Sequence, residues 1–315
     1  MTFRIAVVGI GKIALDQHLP CIAKNKNFKL VAGVSRHAKL DDVPCFETLA
    51  DLIKSKIKID AVALCTPPSV RLQVAREALD AGYHVLIEKP PTPTIGEMVA
   101  MIDFAKKKKR VLYATWHSRY NKSVDETKKR LKGKHVNFMR VTWKEDVKKW
   151  HPGQEWIAQP GGFGVFDPGI NALSIVTKIL PEPIYVESSR IEVPENWATP
   201  IGVDITFKRG DGKPADMTAA FDWRQSGEQI WDIELATADG IKLKLSKGGT
   251  VLHINGKLIM EAPMEEYEMI YKKFAKLLKA KKSETDYSPL QMECDAFMLA
   301  KPVVVAPFKW IELIH

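Results

Sequence analysis

FRIAVVGIGKIA, residues 3–14, is the stretch from which the fold follows. Residues 3–9 form an apolar run of strand length, and the chain then turns through glycine into a segment with helical spacing. Gly9, Gly11 and Ala14 stand in a GxGxxA pattern. In such a pattern the first glycine permits the tight turn and the second lets backbone approach a pyrophosphate. The alanine keeps the helix close to the strand. Lys12 and Ile13 open that helix, whose exposed N–H groups suit an anion. The order strand, glycine turn, helix predicts a dinucleotide-binding unit at the start of the chain.

The residues that follow repeat the alternation. KLVAGVS (29–35), DAVALC (60–65), YHVLIE (83–88) and RVLYAT (110–115) are short apolar strands. VRLQVAREALDAG (70–82) and TIGEMVAMIDFAKKKK (94–109) are amphipathic helices between them. Buried strands alternating with helices predict a doubly wound parallel sheet. The pattern stops near residue 118. After a helix over 121–133, strands dominate from about 136 to 260, with apolar and polar side chains alternating in NFMRVTWKED and QIWDIELAT. Two helices, around 265–281 and 288–301, end the pattern. The expected fold class is α/β: a Rossmann-type domain over 1–118, then an α+β domain with a large, mainly antiparallel open sheet over 119–315.

Composition narrows the function. Hydrophobic content of 45% and charged content of 27% are ordinary for a globular protein. No apolar run is long enough to span a bilayer, and the N-terminal one is too short for a signal peptide. Four dispersed cysteines form no CxxC pair, which argues against disulfides or a metal site and for a reducing, cytoplasmic home. The net charge of +9 sits in short lysine clusters near helix ends, without the aromatic interleaving that nucleic-acid binding wants. A small anionic or polar ligand is the expected partner.

The second strand ends in Ser35-Arg36. An NAD site usually carries an acid there for the ribose 2′-hydroxyl. A hydroxyl and a guanidinium accommodate a 2′-phosphate instead, so NADP is the expected cofactor, with NAD possible.

Two further stretches carry chemistry. IEKPP (87–91) places Lys89 at the end of the fourth strand, where open α/β sheets bind ligands. GVFDPGIN (164–171) reads as a helix start with Asp167 as N-cap and Pro168 at the first helical position. Spacing of i, i+4 then puts Asp167 and Asn171 on one face.

With GxGxxA, CTPP (65–68), EKP (88–90) and GGFGVFDPGIN taken together, the chain resembles the Gfo/Idh/MocA family of oxidoreductases along essentially its whole length. GIGKIALDQHLP, VSRHA, TWHSR, WKEDVKKWHPGQEW and GVFDPGINALSIVTKILP are similar to the bacterial aldose 1-dehydrogenases of that family that act on L-arabinose or D-galactose. The resemblance implies oxidation of the anomeric C1 hydroxyl to a lactone with reduction of NAD(P)+, in a subunit that often dimerises through its second sheet.

Carried onto this sequence, it implies cofactor contacts from Gly9, Gly11, Lys12, Ile13, Ser35, Arg36, Thr66, Pro67, Glu88 and Lys89. It places Lys89, Asp167 and Asn171 at the reacting end of the sugar. His117, Glu145, Trp150 and His151 would hold the rest of it. Many members of the family carry His where this chain has Asn171. An amide cannot take a proton, but an anomeric hydroxyl is more acidic than an ordinary secondary alcohol, so Asp167 can serve as base with Lys89 stabilising the alkoxide. Lys89 as base, with Asp167 positioning, is the alternative. A non-catalytic sugar sensor and a different oxidoreductase of the same family are the competing functions. Trp143 and Trp231 are expected in the core.

Overall fold

The structure is a computed structural model that describes residues 2–309. Residues 310–315, at the end of the expected second domain, lie outside the described residues. The chain divides into two compact units: Met1–His117 with Glu265–Tyr287, and Ser118–Met264 with Ser288–His315.

In the first unit, strand β1 (Phe3–Val8) leads through the glycine turn into helical backbone. The helix slips by one residue over Ala14–His18, where the Leu19 N–H reaches the Ala14 carbonyl, and continues as α1 (Leu19–Lys24). The slip falls beside Pro20, which has no N–H to offer the regular ladder. There follow β2 (Phe28–Val34), β3 (Cys45–Phe46), α2 (Leu49–Lys54), β4 (Ala61–Leu64), α3 (Pro68–Asp80), β5 (His84–Ile87), α4 (Ile95–Lys108) and β6 (Leu112–Ala114). Thr48 and Thr94 cap α2 and α4, each accepting the N–H three residues on. The six strands lie in the order β3-β2-β1-β4-β5-β6, all parallel. The order reverses between β1 and β4, so the ligand-binding edge is the one formed by the carboxyl ends of the strands. β3 is too short to read from periodicity.

The second unit holds α5 (Lys122–Leu131), β7 (Val136–Lys144), α6 (Val147–Trp150) and α7 (Phe166–Ile179). A run of strands follows: β8 (Ile184–Pro194), β9 (Gly202–Arg209), β10 (Asp216–Asp222), β11 (Ile230–Thr237), β12 (Lys242–Ser246), β13 (Val251–Ile254) and β14 (Lys257–Glu261). Helix α8 (Glu266–Ala280) belongs to the first unit, and α9 (Ser288–Met298) and β15 (Ala300–Val305) return to the second. Its sheet runs β14-β13-β12-β11-β7-β10-β9-β8-β15. Pairing is antiparallel except for β7 with β10 and β8 with β15, as the alternation of strand residues leads one to expect. On β7, Met139, Val141 and Trp143 are buried while Arg140 is exposed. Helix α7 lies close against β10: a Cβ on Gly169 would sit 2.6 Å from the Phe221 ring.

Two expectations change here. Residues 265–287 pack with the first unit rather than with the residues that precede them. Phe274 stacks on Phe28 and Tyr113, and Glu284 exchanges backbone hydrogen bonds of 3.0 Å with Leu112 and Ala114, extending the sheet beyond β6. Such long-range pairing leaves no trace in local periodicity. The helix expected over 288–301 ends at Met298, and AKPVVV becomes β15. Its three valines favour a strand, and Pro302 is tolerated because β15 is an edge.

Candidate active site

The first unit places every cofactor residue expected from sequence along the carboxyl edge of its sheet. Gly9 has φ +90°, and a Cβ there would lie 2.7 Å from the Thr66 nitrogen, so β1 can turn against β4 only with glycine. A Cβ on Gly11 would meet nothing within 4 Å; the turn is open on that side. Lys12 is exposed and pairs with Asp16. The Ser35 hydroxyl accepts the N–H groups of His37 and Ala38, both at 3.2 Å, which folds the loop so that Arg36 stands exposed. Among the described residues the Arg36 guanidinium has no hydrogen bond or ion pair. The Thr66 hydroxyl is buried and likewise has no hydrogen-bond partner among them. An open glycine turn, an orphaned hydroxyl and an unpaired guanidinium along one sheet edge fit a dinucleotide.

Lys89 follows β5, and its peptide bond to Pro90 is cis. Glu88 points inward and is 2% exposed. One carboxylate oxygen accepts the Lys89 N–H at 2.9 Å and the other faces His18 Nε2 at 3.0 Å. His18 Nδ1 meets the Tyr271 hydroxyl at 2.8 Å. His117, ring-stacked on Tyr267, sits 2.5 Å from Glu266 through Nδ1. Burial lowers the His117 pKa, and Glu266 more than reverses that, so the net shift is upward.

The buried pair titrates far from its ordinary range. Burial depresses the His18 imidazole, but the Cys65 sulfur and the Glu88 carboxylate outweigh it and hold it up at about 10. Burial alone would raise the Glu88 carboxyl; the hydrogen bond and charge of His18, with His117 and Arg71, lower it to about 2. A raised histidine stabilises the fold below its unfolded pKa near 6.5 and loses that contribution as pH climbs toward about 10. A lowered carboxylate stabilises above its unfolded value near 4.5 and loses that as pH falls toward about 2. The pair's full contribution therefore spans about pH 4.5 to 6.5. In His18→Gln, melting temperature should lose most of the decline that the native protein shows between pH 6.5 and 10. An unchanged decline would mean the imidazole is neutral in the fold.

The second unit gathers Glu145, His151 and Asp167. Glu145 directly follows β7, with its N–H on the Asp222 carbonyl and its side chain 9% exposed. Its two oxygens accept indole N–H groups, Trp223 at 3.3 Å and Trp231 at 2.9 Å. His151 Nε2 lies 3.9 Å from Glu145 and 3.7 Å from Asp167 Oδ2, and its ring leans on Trp223 with centroids 5.0 Å apart. Trp150, more than one third exposed, meets Trp231 edge-on at 5.5 Å and donates to Gln229. The cluster joins paired carboxylates, an imidazole and indole faces.

Asp167 is not the N-cap of α7. The helix starts at Phe166 with Val165 in the cap position, because Gly164 (φ +54°) turns the chain and the Val165 N–H docks on the Pro200 carbonyl at 2.8 Å. The helix thus begins two residues earlier than Asp-Pro suggests, and the Asp167 side chain, 7% exposed, faces His151 instead of capping backbone. Asn171 stays on α7 one turn later, partly exposed; among the described residues its amide makes no hydrogen bond. Trp231 is the second correction: Trp143 is core, but Trp231 is half-buried and bonds Glu145. Sequence reasoning also missed His18, Arg71, Trp223 and Gln229. A polar residue inside a helical apolar pattern was a usable signal for His18; Trp223 and Gln229 gave none.

The fold and these residues define an oxidoreductase with a nucleotide-binding Rossmann unit, and residues 3–115 match the Gfo/Idh/MocA family, described as having an NAD-binding Rossmann fold. The chain is 39% identical to the galactose 1-dehydrogenase of Pseudomonas fluorescens over 97% of its own length and 98% of that protein's. It therefore belongs to the Gfo/Idh/MocA oxidoreductase family. The crystal structure of a D-galactose-1-dehydrogenase from Rhizobium etli superposes with a TM-score of 0.92 at 48% identity, covering 98% of each chain. A 3-ketoreductase of Actinomadura kijaniata, solved with NADP, shares the fold at 15% identity, with a TM-score of 0.82 over 97% of this chain and 100% of its own.

Proposed function

We propose that the protein is an aldose 1-dehydrogenase that oxidises the anomeric hydroxyl of galacto-configured pyranoses, D-galactose and L-arabinose, to the aldonolactone. The observation that carries this reading is the Glu145–His151–Asp167 cluster, in a chain 48% identical to a D-galactose-1-dehydrogenase of known structure. Each Glu145 oxygen accepts an indole N–H, and a carboxylate oxygen can accept from more than one donor, so a sugar hydroxyl can share it. Asp167 takes the C1 hydroxyl proton, and the C1–O bond becomes a carbonyl as C1–H is lost as hydride. A nicotinamide dinucleotide held by Gly9, Gly11, Ser35, Arg36 and Thr66 would supply the hydride acceptor. The Lys89 ammonium stabilises the developing alkoxide, and the Asn171 amide orients the hydroxyl. Ser35 and Arg36 support NADP as the preferred cofactor, with NAD accepted.

NADPH formation on adding D-galactose or L-arabinose tests the reading, and absence of turnover with every aldose would reject it in favour of a sugar-binding sensor. Arg36→Ala should weaken NADP by about 10- to 150-fold, the 1.5–3 kcal/mol of a charge-assisted contact, and leave NAD unchanged. Equal weakening of both cofactors would show that Arg36 does not read the phosphate. The same reading includes a homodimer, as the family resemblance implies, in the cytoplasm, where the thiols of four dispersed cysteines stay reduced. Light scattering at twice the chain mass checks the dimer.

A further inference from the structure

Arg71 stands on the first turn of α3 and is 4% exposed. Its guanidinium lies against the backbone of the ligand-binding edge. Nε donates to the Thr66 carbonyl at 2.6 Å, and Nη1 donates to the carbonyls of Glu88 and Pro90. The Glu88 carbonyl and the Lys89 N–H are the two ends of one peptide plane, and the Glu88 carboxylate already holds the N–H end. That plane is gripped at both ends. The Pro90 carbonyl fixes the chain on the other side of Lys89, and the Thr66 carbonyl ties in the loop after β4. Three carbonyls beyond the regular ladder thus converge on one planar fork, an arrangement that suits guanidinium and that a lysine ammonium cannot reproduce.

We propose that Arg71 is a positioning residue: it fixes the backbone on both sides of Lys89, and so the direction from which the Lys89 ammonium meets the reacting oxygen. The proposal rests on the reading that Lys89 stabilises the alkoxide. Misplacing a catalytic group by about 1 Å costs on the order of 10²-fold in rate.

Arg71→Lys, which keeps the charge and loses the fork, provides the test. Turnover should fall about 10²-fold while the Michaelis constant for D-galactose stays within about threefold. Amide hydrogen exchange across residues 85–92 should accelerate in the variant without sugar or cofactor, while exchange in β1 stays as in the native protein. Unchanged exchange at 85–92 overturns the proposal, as does faster exchange with native turnover, or a rise confined to the Michaelis constant. A general loss of melting temperature with acceleration everywhere marks a merely structural arginine and also overturns it. If Arg71→Lys does not fold, exchange of the native protein decides: the Lys89 amide should be as protected as those of β5, and rapid exchange refutes the grip. If the native protein oxidises no aldose, the functional reading fails by itself, and the exchange data still establish whether Arg71 holds Lys89.

Discussion

Asp167→Asn is expected to lower turnover by about two to four orders of magnitude, with NADP affinity unchanged. The substitution keeps the shape of the side chain and its place on α7, and removes the group proposed to accept the proton. The side chain is 7% exposed and its carboxylate lies 3.7 Å from His151. A neutral amide there can still orient a hydroxyl but cannot accept its proton. Steady-state kinetics with D-galactose, alongside NADP binding by fluorescence, reads both quantities. If turnover survives and only the Michaelis constant rises, Asp167 is a binding group and Lys89 becomes the base. The anomeric carbon makes this test sharp. Its hydroxyl is acidic enough for a carboxylate base to serve with an amide, Asn171, beside it instead of a histidine.

The second large effect concerns the sugar. D-Glucose should react about 30- to 10⁴-fold less efficiently than D-galactose, because an equatorial 4-hydroxyl leaves two buried polar partners unsatisfied at about 1–3 kcal/mol each. Glu145 is buried and His151 mostly so, their side chains 9% and 14% exposed, and contacts with Trp223, Trp231 and Gln154 leave them little freedom to follow a displaced hydroxyl. The indoles offer flat apolar surface to the C–H face that an axial 4-hydroxyl leaves clear. L-arabinose, D-galactose and D-fucose differ only at C5, where one carbon more or less costs about 1–3 kcal/mol, so all three should be substrates. Equal catalytic efficiency on D-glucose and D-galactose would show that the cluster does not read C4.

What the sequence by itself determined is local chemistry joined to period. GxGxxA after an apolar strand specifies its own turn, because the φ of +90° at Gly9 favours glycine whatever packs against it. Alternating apolar residues on β7 and β11 specify a one-faced sheet, and EKP specifies a lysine at a strand end. Each of these depends on residues within about ten positions of one another, so a linear reading can recover it. Tertiary structure alone decided the rest. Pro200, thirty-five residues beyond Val165, receives the hydrogen bond that starts α7 early and turns Asp167 toward His151. Trp231 is half-buried rather than core, and its indole N–H is held by Glu145, the residue after β7, which pairs with β11. Arg71 and His18 acquire their partners only when α3, α1 and β5 pack together, and α8 joins the first unit only when Glu284 completes the edge of β6. Hydrogen bonds and aromatic contacts between residues far apart in sequence have no periodicity, so the chain must fold before they can be seen.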